Sequence, residues 1–104
     1  MKELEHEIKT AVFKEYERAA VKFGKANNSN HESFAVILEE LEEADFSRFK
    51  FKGVFEKFWE ATKTNKKSWN DVLDMQAYAI QTACEWVQVA AMCHKAMQSK
   101  EKAT

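Results

Sequence analysis

The chain has 104 residues, enough for one domain with a modest core and too few for two. Hydrophobic residues make up 45% and charged residues 32%; proline is absent and only two glycines occur, which argues against a β-sandwich or an α/β fold and for an all-α one. Sixteen basic against seventeen acidic residues leave a net charge of −1, so no general basic field exists to draw nucleic acid or an anionic lipid surface.

The opening stretch MKELEHEIK lacks the apolar core of a signal peptide, and no apolar run approaches membrane-spanning length. Apolar residues recur at Leu4, Ile8, Val12, Tyr16, Ala19, Ala20 and Phe23, which predicts a helix over about 2–25. Gly24 and the polar run KANNSN end it. Ser29-Asn-His-Glu32 has the form of a capping box, opening a second helix with Phe34, Ile37, Leu38, Leu41 and Ala44 in one stripe. In FSRFKFKGVF, residues 46–55, Phe49 and Phe51 alternate with lysines, so a bend or short loop is expected near Gly53. A third helix would carry Val54, Phe55, Phe58 and Trp59 on one side, followed by the solvated connector KTNKKS. Ser68 to Asp71 again resembles a capping box, and a fourth helix is expected over about 69–98. Its stripe reads Trp69, Val72, Leu73, Gln76, Ile80, Ala83, Val87, Ala90 and His94. The expected architecture is an antiparallel four-helix bundle in a single domain, 1–104. Cys84 and Cys93 lie nine apart on that last helix, too far to bridge each other, and are expected as reduced core thiols of a cytoplasmic protein.

Two stretches hold polar residues that carry chemistry. LEELEEAD, 38–45, places Glu39, Glu40, Glu42 and Glu43 directly after an apolar run. Glu40 and Glu43 are three apart, hence on one side of a helix, while Glu39 and Glu42 point further toward solvent. In ACEWVQVAAMC, 83–93, every residue is apolar except Glu85 and Gln88, again three apart. A carboxylate in such surroundings is costly unless it is paired or bound to a cation. If the two runs face each other across antiparallel helices, their oxygens suit a hard divalent ion such as Mg²⁺, which takes oxygen ligands and substrate phosphates. The competing expectation is that Glu85 pairs with a lysine or caps a backbone group and that the run Glu39 to Glu43 is simply solvated.

HESFAVILEELEEA, followed far downstream by EWVQVAAM, resembles the MazG-like all-α nucleoside triphosphate pyrophosphohydrolases, above all their small phage-type members. The likeness covers about residues 29–97. The family pattern is Glu-Glu-x-x-Glu on one helix and Glu-x-x-Asp on a later one. Glu39, Glu40 and Glu43 meet the first half and Glu85 opens the second, with Gln88 where an aspartate is expected. The resemblance implies conversion of an NTP or dNTP to its monophosphate and pyrophosphate. It also implies Mg²⁺, with Mn²⁺ as an alternative, held by Glu40, Glu43, Glu85 and Gln88. Glu39 and Glu40 would be the catalytic pair, Glu39 ligating or orienting a water. A homodimer or homotetramer is implied, with the nucleotide near a subunit interface. Gln88 supplies an oxygen without negative charge, which lowers the expected hold on a divalent ion. It also opens an alternative: a catalytically inactive helical module that binds nucleotide or a partner protein. A purely structural oligomeric bundle is the third candidate.

Other residues are expected in structural roles. His6, His31 and His94 form no ligand set, and Cys93 and His94, as helix neighbours, point about 100° apart. The aromatic and basic residues of FSRFKFKGVFEKFW could stack on a nucleotide or single-stranded nucleic acid, although such a segment more commonly fills a core and its edge.

Overall fold

The computed structural model describes residues 1–99. Three α-helices account for nearly all of them: α1 over Lys2–Phe23, α2 over Asn30–Lys63 and α3 over Trp69–Met97, with no strand among the described residues. The all-α expectation therefore holds, but the four-helix count does not. Residues 46–55 continue α2 without a break. The alternation of Phe49 and Phe51 is too short to impose extended structure. A lone Gly53 costs a helix interior only about 1 kcal/mol, and no proline intervenes. Across this segment the inward positions Glu40, Ala44, Ser47, Phe51, Val54, Phe58 and Ala61 alternate steps of four and three, so the helical period is unbroken.

The helix ends follow their local chemistry. Gly24 caps α1 with φ 94°, a left-handed value that glycine tolerates, and its N–H donates to the Ala20 carbonyl at 2.9 Å. The Tyr16 hydroxyl then donates to the Lys25 carbonyl at 2.7 Å, folding the connector back along α1. At the start of α2, Ser29 Oγ accepts from the Glu32 N–H at 3.2 Å, as the capping pattern requires. Glu32 reaches one residue further than expected, accepting from the Asn28 backbone N–H and Nδ2 at 3.4 and 3.3 Å. Ser68 is the N-cap residue of α3 but makes no side-chain cap bond.

Helices α2 and α3 form a long antiparallel hairpin. Its register is written in four polar pairs: Lys57 with Asp71 at 3.8 Å, the Lys50 ammonium 5.9 Å above the Tyr78 ring, the Ser47 and Thr82 hydroxyls at 2.9 Å, and Glu43 beside Glu85. The seam on α3 is thus Asp71, Met75, Tyr78, Thr82, Glu85, Val89, Met92 and Ala96, all buried or half-buried. This differs from the stripe expected from hydrophobicity. Trp69, Val72, Leu73, Gln76, Ile80 and Ala83 lie on the opposite side and are exposed. Apolar residues occupy more than half the circumference of α3, so hydrophobicity alone cannot choose the packing face; the polar partners on α2 do. Cys84 and Cys93 also fall outside the seam and are exposed free thiols rather than core residues.

Helix α1 packs against α3 and makes no packing contact with α2 among the described residues. His94 is held between Phe13 and Tyr16, with ring centroids 5.8 and 4.5 Å away in edge-on geometry. The first ten residues, Leu4 and Ile8 included, are exposed. The molecule is elongated, 58 × 29 × 23 Å.

Candidate functional site

Half-way along the hairpin the two acidic runs meet. Glu40 and Glu43, one turn apart on α2, face Glu85 of α3, and one carboxylate oxygen from each lies within 4.8 Å of the others. Glu40 and Glu85 are half-buried and Glu43 is exposed. Burial, then the charges of Glu43, Glu85 and Glu39, push the Glu40 carboxyl above the ordinary carboxylate range. Glu85 is raised in the same direction by burial and by the neighbouring Glu43 charge. None of the three carboxylates takes part in an ion pair among the described residues. No lysine partner for Glu85 stands among the described residues, and the three carboxyl groups lie together.

Oxygens this close fit one divalent cation, whose metal–oxygen bonds run from about 2.0 Å for Mg²⁺ to about 2.6 Å for Ca²⁺. The donor set is all oxygen, the type that hard cations select. Mutual repulsion and partial burial make the cluster unfavourable by itself, and a cation would relieve both.

The triad forms one wall of a cleft of about 780 Å³. Helix α2 adds Glu32, Val36 and Glu39; α3 adds Gln88, Met92 and Lys95; α1 adds Arg18, Ala19, Lys22 and Phe23; and the connector adds Asn27. Glu39 is exposed at this cleft and outside the three-carboxylate cluster. Gln88 lines the cleft too, but its amide Nε2 donates to Glu15 Oε2 at 2.6 Å. The expected fourth metal ligand is thus engaged with α1. Glu15 is also gripped by Arg18, with Nε to Oε1 at 3.2 Å and Nη2 to Oε2 at 2.5 Å. Arg18, and secondarily Gln88, hold the Glu15 carboxyl below its usual range.

Two groups at the far end of the cleft lack partners. Lys95 is only 6% exposed, and its ammonium makes no hydrogen bond or ion pair with any described residue. Asn27 is 1% exposed; its Nδ2 donates to Ser33 Oγ at 2.9 Å, while its Oδ1 is buried without a partner. Sequence reasoning missed Glu15, Arg18, Lys22, Asn27 and Lys95. A signal for Lys95 existed: it follows Gln88 by seven residues, two turns along the same face.

The remaining candidates lie elsewhere. His94 is part of the α1–α3 contact, His6 and His31 are exposed, and Cys93 points to solvent. In the aromatic and basic segment, Phe46, Phe49, Phe55 and Trp59 are exposed while Phe51 and Phe58 are half-buried. Lys50 caps the Phe46 ring at 4.5 Å.

Compared with known proteins, the chain matches no family model, no curated protein and no solved structure.

Proposed function

We propose that this chain is a divalent-cation-dependent nucleoside triphosphate pyrophosphohydrolase of the MazG-like kind, releasing pyrophosphate from an NTP or dNTP. The observation that carries the reading is the convergence of Glu40, Glu43 and Glu85, from two helices, on one small volume inside a cleft of nucleotide size. Mg²⁺, with Mn²⁺ as a substitute, would be held by these three carboxylates, where such an ion activates water and offsets charge on phosphate oxygens. Glu40 and Glu85, half-buried, fix the donor oxygens in position. Glu39, exposed at the cleft on the adjacent helix position, accepts the proton of the attacking water.

The direct test supplies a (d)NTP and Mg²⁺ or Mn²⁺ and measures pyrophosphate. Release is expected from the unaltered protein, and Glu43→Gln should abolish it. Survival of activity in both Glu40→Gln and Glu43→Gln would remove the assignment.

One observation favours the non-catalytic alternative, a helical module that binds nucleotide or a partner protein. The Gln88 amide is turned to Glu15, so the triad has no fourth carboxylate from α3. Calorimetry separates the two readings: metal and nucleotide heats without pyrophosphate release support the module.

A second copy of the chain completes the proposal. The accessible surface is 8052 Å², against about 6000 Å² for a folded monomer of this mass. The excess, about 2000 Å², is of the size that a permanent subunit interface removes. On α3 the side bearing Trp69, Leu73, Ile80 and Ala83 has no charged residue, since Asp71, Asp74 and Glu85 all face away from it. A helix face of this kind pairs with its own copy about a two-fold axis.

A further inference from the structure

We propose that Arg18, Lys22 and Lys95 form an anion-binding wall that takes the phosphates of a polyphosphate ligand, and that Gln88 serves this wall by holding Glu15, and through it Arg18, in place. The inference deepens the nucleotide reading and rests on it for the class of ligand.

Lys95 carries the first part of the argument. Lys95 is 6% exposed as a residue and its ammonium has no partner among the described residues, so a counter-charge in the cleft would complete it. Lys95 lines the cleft, so its partner can come from a molecule inside it. Arg18 and Lys22, four apart on α1, line the cleft from the other side, the Lys22 ammonium lying 5.4 Å from the centroid of the Phe23 ring. Cations of α1 and α3 thereby face the carboxylates of α2 and α3 across one space. A chain of phosphates carrying a divalent ion is complementary to both walls at once; an isolated cation or an isolated anion satisfies only one.

Gln88 carries the second part. Arg18 is mostly solvent-exposed on a surface helix, and an unrestrained arginine there would lose much side-chain freedom on binding. Glu15 removes that freedom beforehand by engaging Arg18 through Nε and Nη2. Three of the five guanidinium N–H donors remain for phosphate oxygens. Glu15 is anchored in turn by the Gln88 amide at 2.6 Å. The contact requires a donor at position 88. An aspartate at 88 would repel Glu15 and release the pair, so the side chain that weakens the metal site is the one the basic wall requires. Gln88 and Glu15 are positioning residues and touch no ligand in this scheme.

Two titrations of the full chain test the scheme: Mn²⁺ alone, and tripolyphosphate in the presence of Mg²⁺. The unaltered protein should bind both. Lys95→Met, and separately the surface change Arg18→Met, should weaken tripolyphosphate by about tenfold or more while leaving Mn²⁺ affinity unchanged. Gln88→Asp should weaken tripolyphosphate several-fold while tightening Mn²⁺. Gln88→Asn, which keeps a donor, should recover part of the anion affinity. Unaltered tripolyphosphate affinity in Lys95→Met and Arg18→Met overturns the wall. Unaltered affinity in Gln88→Asp overturns the positioning role. Wild-type protein that binds Mn²⁺ but not tripolyphosphate sinks the wall and spares the metal reading. Protein that takes tripolyphosphate but not Mn²⁺ does the reverse.

Discussion

Glu40 and Glu85 bind protons more tightly in the folded chain than an ordinary carboxyl does, because burial and neighbouring charge both disfavour their ionised forms. The sign of the linkage follows. A carboxyl raised above its unfolded value of 4.5 stabilises the fold while protonated, and that contribution is lost as pH rises through the raised value. Glu15 acts oppositely, its stabilisation present above 4.5 and lost on acidification. At neutral pH without metal, Glu40→Gln should therefore raise the melting temperature, and the difference from wild type should shrink toward pH 4. Saturating Mn²⁺ should invert the order at pH 7, since at one hundred times the Kd a native-state ligand adds about 2.7 kcal/mol to a protein that can bind it. Thermal melts with and without Mn²⁺ over pH 4–8 check both statements; a Glu40→Gln protein less stable than wild type without metal would refute the charge argument. At this scale the sequence was informative for the acids and silent for the bases. Glu40, Glu43 and Glu85 announce themselves because charge interrupts an apolar context. Arg18 and Lys22 sit among the ordinary charged residues of α1, and although Lys95 is the single lysine of α3, only the fold reveals that it is buried.

The continuous α2 is where pattern reading failed by breaking one helix into two. Gly53 and the aromatic alternation suggested an interruption, yet the inward period of three and four passes straight through. Gly53 has helical backbone, and a Cβ built there would meet nothing within 4 Å. Gly53→Ala should then stabilise the protein by about 0.8–1 kcal/mol through the lost flexibility of the unfolded chain. Urea unfolding, with the midpoint rising at constant slope, measures it. A loss of stability would mean that the glycine is needed for close approach by something else, such as a second subunit. Element boundaries elsewhere were readable from local chemistry: Gly24 for the end of α1, Ser29 for the start of α2. The face of α3 was not, because its apolar residues serve two surfaces and hydrophobicity does not rank them.

At the scale of the whole molecule, three helices do not close a core. Among the described residues only Ala44, Val89, Ala91 and Met92 are buried and apolar, while Trp69, Leu73, Ile80 and Phe49 stand 45–72% exposed. The radius of gyration is 17.6 Å, against about 13 Å for a compact domain of this length. Helices of this shape are stable when another surface covers the outward stripe. Sedimentation equilibrium should find an assembly of at least two chains. Leu73→Asp together with Ile80→Asp should drive it toward monomer and lower the melting temperature, by placing charge in an apolar contact. A monomeric wild-type protein with an unchanged double variant would refute the self-association proposal. The all-α class and the meeting of three carboxylates at the candidate site could be read from the chain alone; the helix count could not, nor how copies would cover α3, since nothing in a single sequence separates a surface facing solvent from one facing a twin.

The Ser47–Thr82 contact, one turn from the acids, has a consequence for alignment. Were α3 to slide by one heptad, Ser47 would meet Val89 or Met75, Thr82 would lose its cross-helix hydroxyl, and Glu85 would travel about 10 Å from Glu43. The two small hydroxyls therefore act as a registration mark on an otherwise slippery seam, keeping the three carboxylates level with one another.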